Sequence, residues 1–191
     1  STEMLPIPTL VDRSKMNAAY AQSGYPASRL SNLQRFNPTS VHNPMMDSKG
    51  RVWYTAQLRP PAADQPAWCK EGSDNKYAKY FPLQRAGRNV SFYDPKLRKF
   101  TMIDTCFGTH HLQFANDADE TLFLGQPGGS VFAWINTKQF DQTGNGQLSQ
   151  GWCPTVVDTN SDGKITKPWN EPVTTRAVAS DEDIPEVTYK V

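Results

Sequence analysis

The chain has 191 residues, with 20 Lys+Arg against 19 Asp+Glu and a formal net charge of +1. That balance excludes a nucleic-acid or membrane-surface protein held by bulk charge, and no apolar run reaches the length of a membrane span. With 37% hydrophobic residues, 15 Pro and 12 Gly, the composition is that of a turn-rich globular chain long enough to bury one core.

Residues 1–38 read as an irregular arm broken by Pro6, Pro8, Gly24, Pro26 and Pro38, with one short helix expected over 12–22. Asp12 or Ser14 would cap it, and Ser23-Gly24 would end it. From His42 the texture changes. Arg51-Val-Trp-Tyr-Thr-Ala-Gln-Leu58 is β-branched and aromatic and follows the turn Asp47-Ser-Lys-Gly50. Further strands are expected over 89–94, 99–104, 111–114, 121–124, 130–135 and 155–158. Short strands at short spacing, with almost no helical periodicity, predict an all-β domain over 39–166. A Pro-rich loop over 59–87 interrupts it, and long ordered loops often carry function. Residues 167–191 form an irregular tail in which Glu171, Asp181, Glu182, Asp183 and Glu186 outweigh Arg176 and Lys190.

Cys69, Cys106 and Cys153 contain no C-x-x-C pair, which excludes a zinc ribbon or a thioredoxin motif. Either all three thiols are idle in a reducing compartment, or one disulfide forms in an oxidising one. Cys69 lies in the Pro-rich loop, which has little else to hold it, and this favours the second reading.

The most informative pattern is a gapless self-match at an offset of 69 residues, from His42 to Thr55 and from His111 to Leu124. His pairs with His, Asp47 with Asn116, Gly50 with Asp119, Val52 with Thr121 and Trp53 with Leu122. Each copy reads strand, turn, strand, then another strand. Such units are the signature of β-propeller blades, and the loop over 59–87 accounts for an offset longer than the usual blade of about 40–50 residues. Without the arm, the loop and the tail, about two blades remain. Propellers close with roughly 4–8. The open edges left over predict completion by another protein chain or by the rest of a larger propeller.

Asp47-x-x-Gly-x-Val-Trp-Tyr-Thr, followed by Tyr93-Asp-Pro-Lys-x-x-Lys-Phe-Thr, resembles the blade pattern of virginiamycin B lyase-type propellers, which is related to those of NHL and gluconolactonase-type propellers. Over roughly residues 40–172 the resemblance narrows. His42-Asn-Pro-Met-Met-Asp, Cys69-Lys-x-Gly-Ser-Asp, Ile103-Asp-Thr-Cys106-Phe-x-Thr-His-His-Leu-Gln-Phe and Ser149-Gln-Gly-Trp with Asp158-Thr-Asn are similar to a bacterial group of large secreted propeller proteins, mostly of unassigned activity. The resemblance implies an extracytoplasmic propeller and a Cys69–Cys106 bridge. It implies no reaction.

Two chemistries follow. His42 and His111 hold the same position in successive repeats, and equivalent residues on the innermost strands of a propeller converge on its axis. His110 lies one residue away, where strand alternation would turn it to the opposite face. Two or three imidazoles near one axis bind a metal or act as acid and base. The plainer alternative is that each histidine only hydrogen-bonds a neighbouring blade. The resemblance to virginiamycin B lyase-like enzymes implies a histidine site with a divalent metal at the propeller face. The second chemistry is calcium. Asp158-x-Asn160-x-Asp162-Gly163-x-Ile165 matches the first eight positions of a calcium loop, with Trp169 at the twelfth and Glu171 two residues beyond to complete it. Asp141-x-Thr143-x-Asn145-Gly146 repeats the pattern with weaker ligands.

The expected function is that of an extracytoplasmic propeller segment with a binding or structural role, stabilised by calcium and completed by another chain. The alternative is a lyase or hydrolase with a histidine and metal site at the channel. The two readings part on whether His42 and His111 share one cavity or lie more than about 10 Å apart, beyond any bridging group.

Overall fold

The computed structural model describes residues 5–12, 14–16, 39–60, 65–84, 86, 88–125 and 131–155. Eight strands are described: β1 (His42–Met46), β2 (Val52–Ala56), β3 (Asn89–Asp94), β4 (Lys99–Ile103), β5 (His111–Phe114), β6 (Leu122–Gly125), β7 (Val131–Ile135) and β8 (Gln150–Pro154). They form two four-stranded antiparallel sheets in the orders β1-β2-β3-β4 and β5-β6-β7-β8, each an open meander. The all-β expectation holds, and each copy of the repeat makes one sheet. The first two strands of the copies, β1 and β5, lie beside each other where the sheets meet.

Residues 14–16 are helical, and Asp12 caps them, its Oδ1 accepting from the Ser14 backbone N–H at 2.8 Å. The rest of the expected helix lies outside the described residues. The arm packs on its own domain: Leu10 N–H donates to the Leu58 carbonyl at 2.8 Å, and Ile7 covers Tyr54, Ala56 and Leu58.

The strand pairs correct the gapless repeat. His42 lies opposite Thr55 and His111 opposite Gly125, so the histidines are equivalent. Beyond them, Met45 lies opposite Trp53 whereas Gln113 lies opposite Phe123. Trp53 therefore corresponds to Phe123, not Leu122. Two local differences cause the shift. Strand β1 carries a bulge between His42 and Met45. The second turn is also longer, closed by Ala115 N–H to Thr121 O where the first is closed by Asp47 N–H to Arg51 O.

Residues opposite each other in an antiparallel pair share a face. Trp53, Phe92 and Met45 thus form the face of the first sheet that packs on the second. Trp53 meets Phe114 edge-on at 6.0 Å, and Phe92 meets Phe140 at 6.2 Å. The second sheet answers with Leu112, Leu122, Leu124, Ala133, Ile135 and Trp152, all buried. Its other face carries Gln113, Phe123, Trp134 and Phe132.

Two short helices were not expected from the pattern: α1 (Thr137–Thr143) and α2 (Gly146–Ser149). Asn136 caps the first, accepting from Gln139 N–H, and Asn145 caps the second, accepting from Leu148 N–H. Gly144, at φ 64°, ends α1. Asp141, expected as a weak calcium ligand, instead faces Arg51 and Lys49. Arg51 closes the interface. Its Nε donates to Asp47 Oδ2 at 2.6 Å, its Nη1 to Asp141 Oδ1 at 2.5 Å, and its cation lies 4.6 Å from the Phe92 ring centroid. Burial alone would raise the Asp141 carboxyl, but Arg51 and Lys49 outweigh it and hold it below the usual carboxylate range.

The described part of the inserted loop is pinned. Cys69 and Cys106 form the implied disulfide, with Cα atoms 5.1 Å apart, and Cys153 is free. Arg59 donates to Asp104, Gln65 and the Thr105 carbonyl, and Gln65 donates to the Cys106 carbonyl. The loop carries Tyr77 and Phe81 onto β8, where Trp152 Nε1 donates to the Phe81 carbonyl at 2.8 Å. Gly151 permits this approach, because a Cβ there would lie 2.5 Å from Trp134 and 2.6 Å from Tyr77. Strand β8 was not expected from the sequence pattern. Of the strand expected over 155–158, all but Thr155 lies outside the described residues, as does the tail over 167–191. No described helix is long and apolar enough to cross a membrane.

Candidate metal centre

All three histidines of the chain gather at the seam between the sheets. His42 comes from β1, His111 from the start of β5, and His110 from the residue just ahead of it. Ring centroids lie 4.1 Å apart for His42 and His110, 4.4 Å for His110 and His111, and 5.3 Å for His42 and His111. The expected opposition of His110 and His111 is corrected. His110 precedes the regular pleat, so alternation does not govern it, and both rings turn toward His42.

The backbone explains why His42 reaches them. Residues three apart in a regular strand face opposite ways, yet His42 and Met45 pair with Thr55 and Trp53, which share a face. The bulge supplies the extra residue. Asn43 absorbs it in the left-handed region at φ 49°, which asparagine tolerates better than most side chains. The freed Asn43 side chain then bridges the sheets, its Oδ1 accepting from the Leu112 N–H at 2.7 Å. Thr55 adds a second tie, donating to the His110 carbonyl at 2.9 Å. Sequence reasoning missed both residues. Pro44 inside a strand was the available signal, since proline marks edges and bulges.

One ring nitrogen from each histidine can be chosen so that the three lie within 4.8 Å of one another, and no other group of this kind occurs among the described residues. Nitrogens sharing one zinc at about 2.1 Å stand about 3.4 Å apart in a tetrahedron. Modest ring rotations therefore close the set. His110 Nδ1 is buried without a hydrogen-bond partner among the described residues, while His111 is exposed. Buried polar atoms are ordinarily satisfied, and a neutral imidazole nitrogen is able to take a hydrogen bond or a metal ion. The calcium ligands expected at Asp158, Asn160, Asp162 and Glu171 lie outside the described residues.

Burial, reinforced by His42, His111 and Arg88, lowers the His110 pKa below the usual imidazole value. The folded state then binds this proton less readily than the unfolded state. The contribution to stability is complete above the unfolded pKa of about 6.5 and is lost as pH falls through the lower folded value. Thermal melts between about pH 7.5 and about pH 5 should show a falling midpoint, flattened in His110→Gln. An equal slope in that variant would remove His110 as the cause.

No family model, curated protein or solved structure matches the chain.

Proposed function

We propose that the chain is a propeller-type scaffold whose three histidines bind one divalent transition-metal ion. The observation that carries this is the convergence of His42, His110 and His111 at the seam of the two sheets, with the buried His110 Nδ1 left without a partner among the described residues. Three neutral imidazoles are a familiar zinc donor set that leaves a fourth position open. On this reading the sheets are neighbouring blades with β1 and β5 innermost. Further blades, supplied by another chain, would wall the centre without filling it. The Cys69–Cys106 disulfide supports an extracytoplasmic compartment.

The test is titration of the purified protein with Zn²⁺ and with Co²⁺, following heat and the visible spectrum. One ion per chain is expected. His42→Ala, His110→Ala and His111→Ala should each weaken binding at least about tenfold, in line with loss of one ligand. At about 100 times Kd, zinc should stabilise the wild type by about 2.7 kcal/mol and the variants far less. Absence of stoichiometric binding removes the proposal. Calcium is the matching arm of this experiment. Its expected ligands, Asp158, Asn160, Asp162 and Glu171, are distinct, so it should raise the melt of wild type and histidine variants alike.

A lyase or hydrolase reading rests on the same centre, favoured by the exposure of His111, which lines an open depression of the surface. An open metal position that a substrate can reach is what such chemistry requires.

A further inference from the structure

Each face of one sheet has a counterpart on the other, because His42 opposite Thr55 matches His111 opposite Gly125. In the first sheet Trp53, Phe92 and Val90 are buried against the second. The strand pairs match these three with Phe123, Trp134 and Phe132. Yet Phe132 is 43% exposed, and Phe123 and Trp134 are only half-buried. The face that the first sheet covers with its neighbour is left open on the second. The reverse faces correspond too. Leu122, Ile135 and Trp152, which receive the first sheet, match Val52, Tyr93 and Met102, all half-buried. Among the described residues, the arm meets this last face at Ile7 and Leu10, beside Tyr54, Ala56 and Leu58 and away from the turns.

Charge follows the same plan. At the seam, Asp141 on α1, between β7 and β8, meets Lys49 and Arg51 of the β1–β2 turn. One sheet further, the β5–β6 turn carries Asp117, Asp119 and Glu120. The connection equivalent to α1 is the β3–β4 turn, which carries Lys96, Arg98 and Lys99 around Leu97, itself 72% exposed. The signs are exchanged and the complementarity is kept. We infer that the open face of the second sheet docks the outer face of the first sheet of a second copy of this chain, with the acidic β5–β6 turn of one against the basic β3–β4 turn of the next. The inference rests on the propeller reading of the sheets and is independent of the metal. Such a head-to-tail contact uses different surfaces on the two partners, and it closes into a ring where the rotation allows. With two blades per chain, a propeller of about 4–8 blades needs about two to four copies.

The test is native mass spectrometry and sedimentation of the purified chain over about a hundredfold range of concentration, because assembly follows mass action. One closed species of about two to four copies is expected. Asp117→Lys and Lys96→Glu should each weaken self-association at least about tenfold, since each sets like charges across the contact. Mixed in equal amounts, the two variants should associate again, because every contact between unlike variants then joins opposite charges. That rescue also shows that both variants fold. Phe132→Ser, on the open face, should weaken association and gain nothing from mixing with either. A monomer at every concentration, or charge variants that associate no better mixed than alone, overturns the inference. Association that both charge variants retain in full is a contact through other surfaces and also overturns it. The charge changes lie at the turn end of the sheets, away from the histidines, so zinc titration should be the same in both variants as in wild type. Zinc binding without assembly sinks this inference and leaves the metal reading. Assembly with rescue but no zinc binding does the reverse.

Discussion

Arg51→Ala is expected to cost about 3–5 kcal/mol of unfolding free energy, the range for removing one partner of a buried ion pair. The side chain is 8% exposed and the Asp47 side chain it serves is 0% exposed. Losing the guanidinium removes two bonds to Asp141, one to Asp47 and the cation over the Phe92 and Trp53 rings. Asp47 keeps its bonds from Trp53 Nε1 and from the Lys49 and Arg51 backbone N–H groups, so the turn itself should survive. Arg51→Lys should recover little, because an ammonium cannot span both carboxylates while lying flat on the rings. Lys49→Ala is the control. Its side chain is 53% exposed, and loss of such a surface pair should cost less than about 1 kcal/mol. Urea denaturation measures all three, and comparable costs for Arg51→Ala and Lys49→Ala would refute the argument.

The second large effect is expected at the disulfide. Cys69 and Cys106 are 37 residues apart, a closure for which chain entropy predicts about 4 kcal/mol. The double variant Cys69→Ala/Cys106→Ala should lose a stabilisation of that order. The loss should carry a local signature. The bridge anchors the segment that lays Tyr77 and Phe81 on Trp152, so tryptophan fluorescence should shift to the red in the still-folded variant as that cover loosens. A loss below about 1 kcal/mol in urea, with an unshifted spectrum, would mean that the Arg59, Gln65 and Asp104 network holds the loop without the bridge.

Much of this architecture was legible in the residues. Alternation and β-branching placed six of the eight described strands, the self-match placed β1, and the doubled histidine located the seam. The failures share a cause, which is that single-residue backbone events are invisible to a periodic template. A one-residue bulge at Asn43 and a longer second turn moved Trp53 from Leu122 onto Phe123. The two helices escaped because their signal lies in the caps Asn136 and Asn145, and short segments carry too little periodicity to register. Strand β8 was hidden because Gly151 looks like a breaker, yet its missing side chain is what admits Trp134 and Tyr77. At the centre, His42 and His111 were readable as a repeated pair, but the position of His110 depends on where a strand begins, to within one residue.

Within the sheets, β1-β2, β3-β4, β5-β6 and β6-β7 pair chain neighbours while β2-β3 closes over the inserted loop, from Ala56 to Asn89. The ties between the sheets join residues farther apart still: 55 for Thr55 to His110, 69 for Asn43 to Leu112, 72 for Ser48 to Glu120 and 90 for Arg51 to Asp141. Hairpins form in microseconds, while contacts at such separations wait for a large loss of chain freedom. His42 and His111 sit on different sheets, so their meeting depends on those long-range ties. An ion bound by the three histidines would therefore lock docked sheets rather than seed either one, because its ligands come from both.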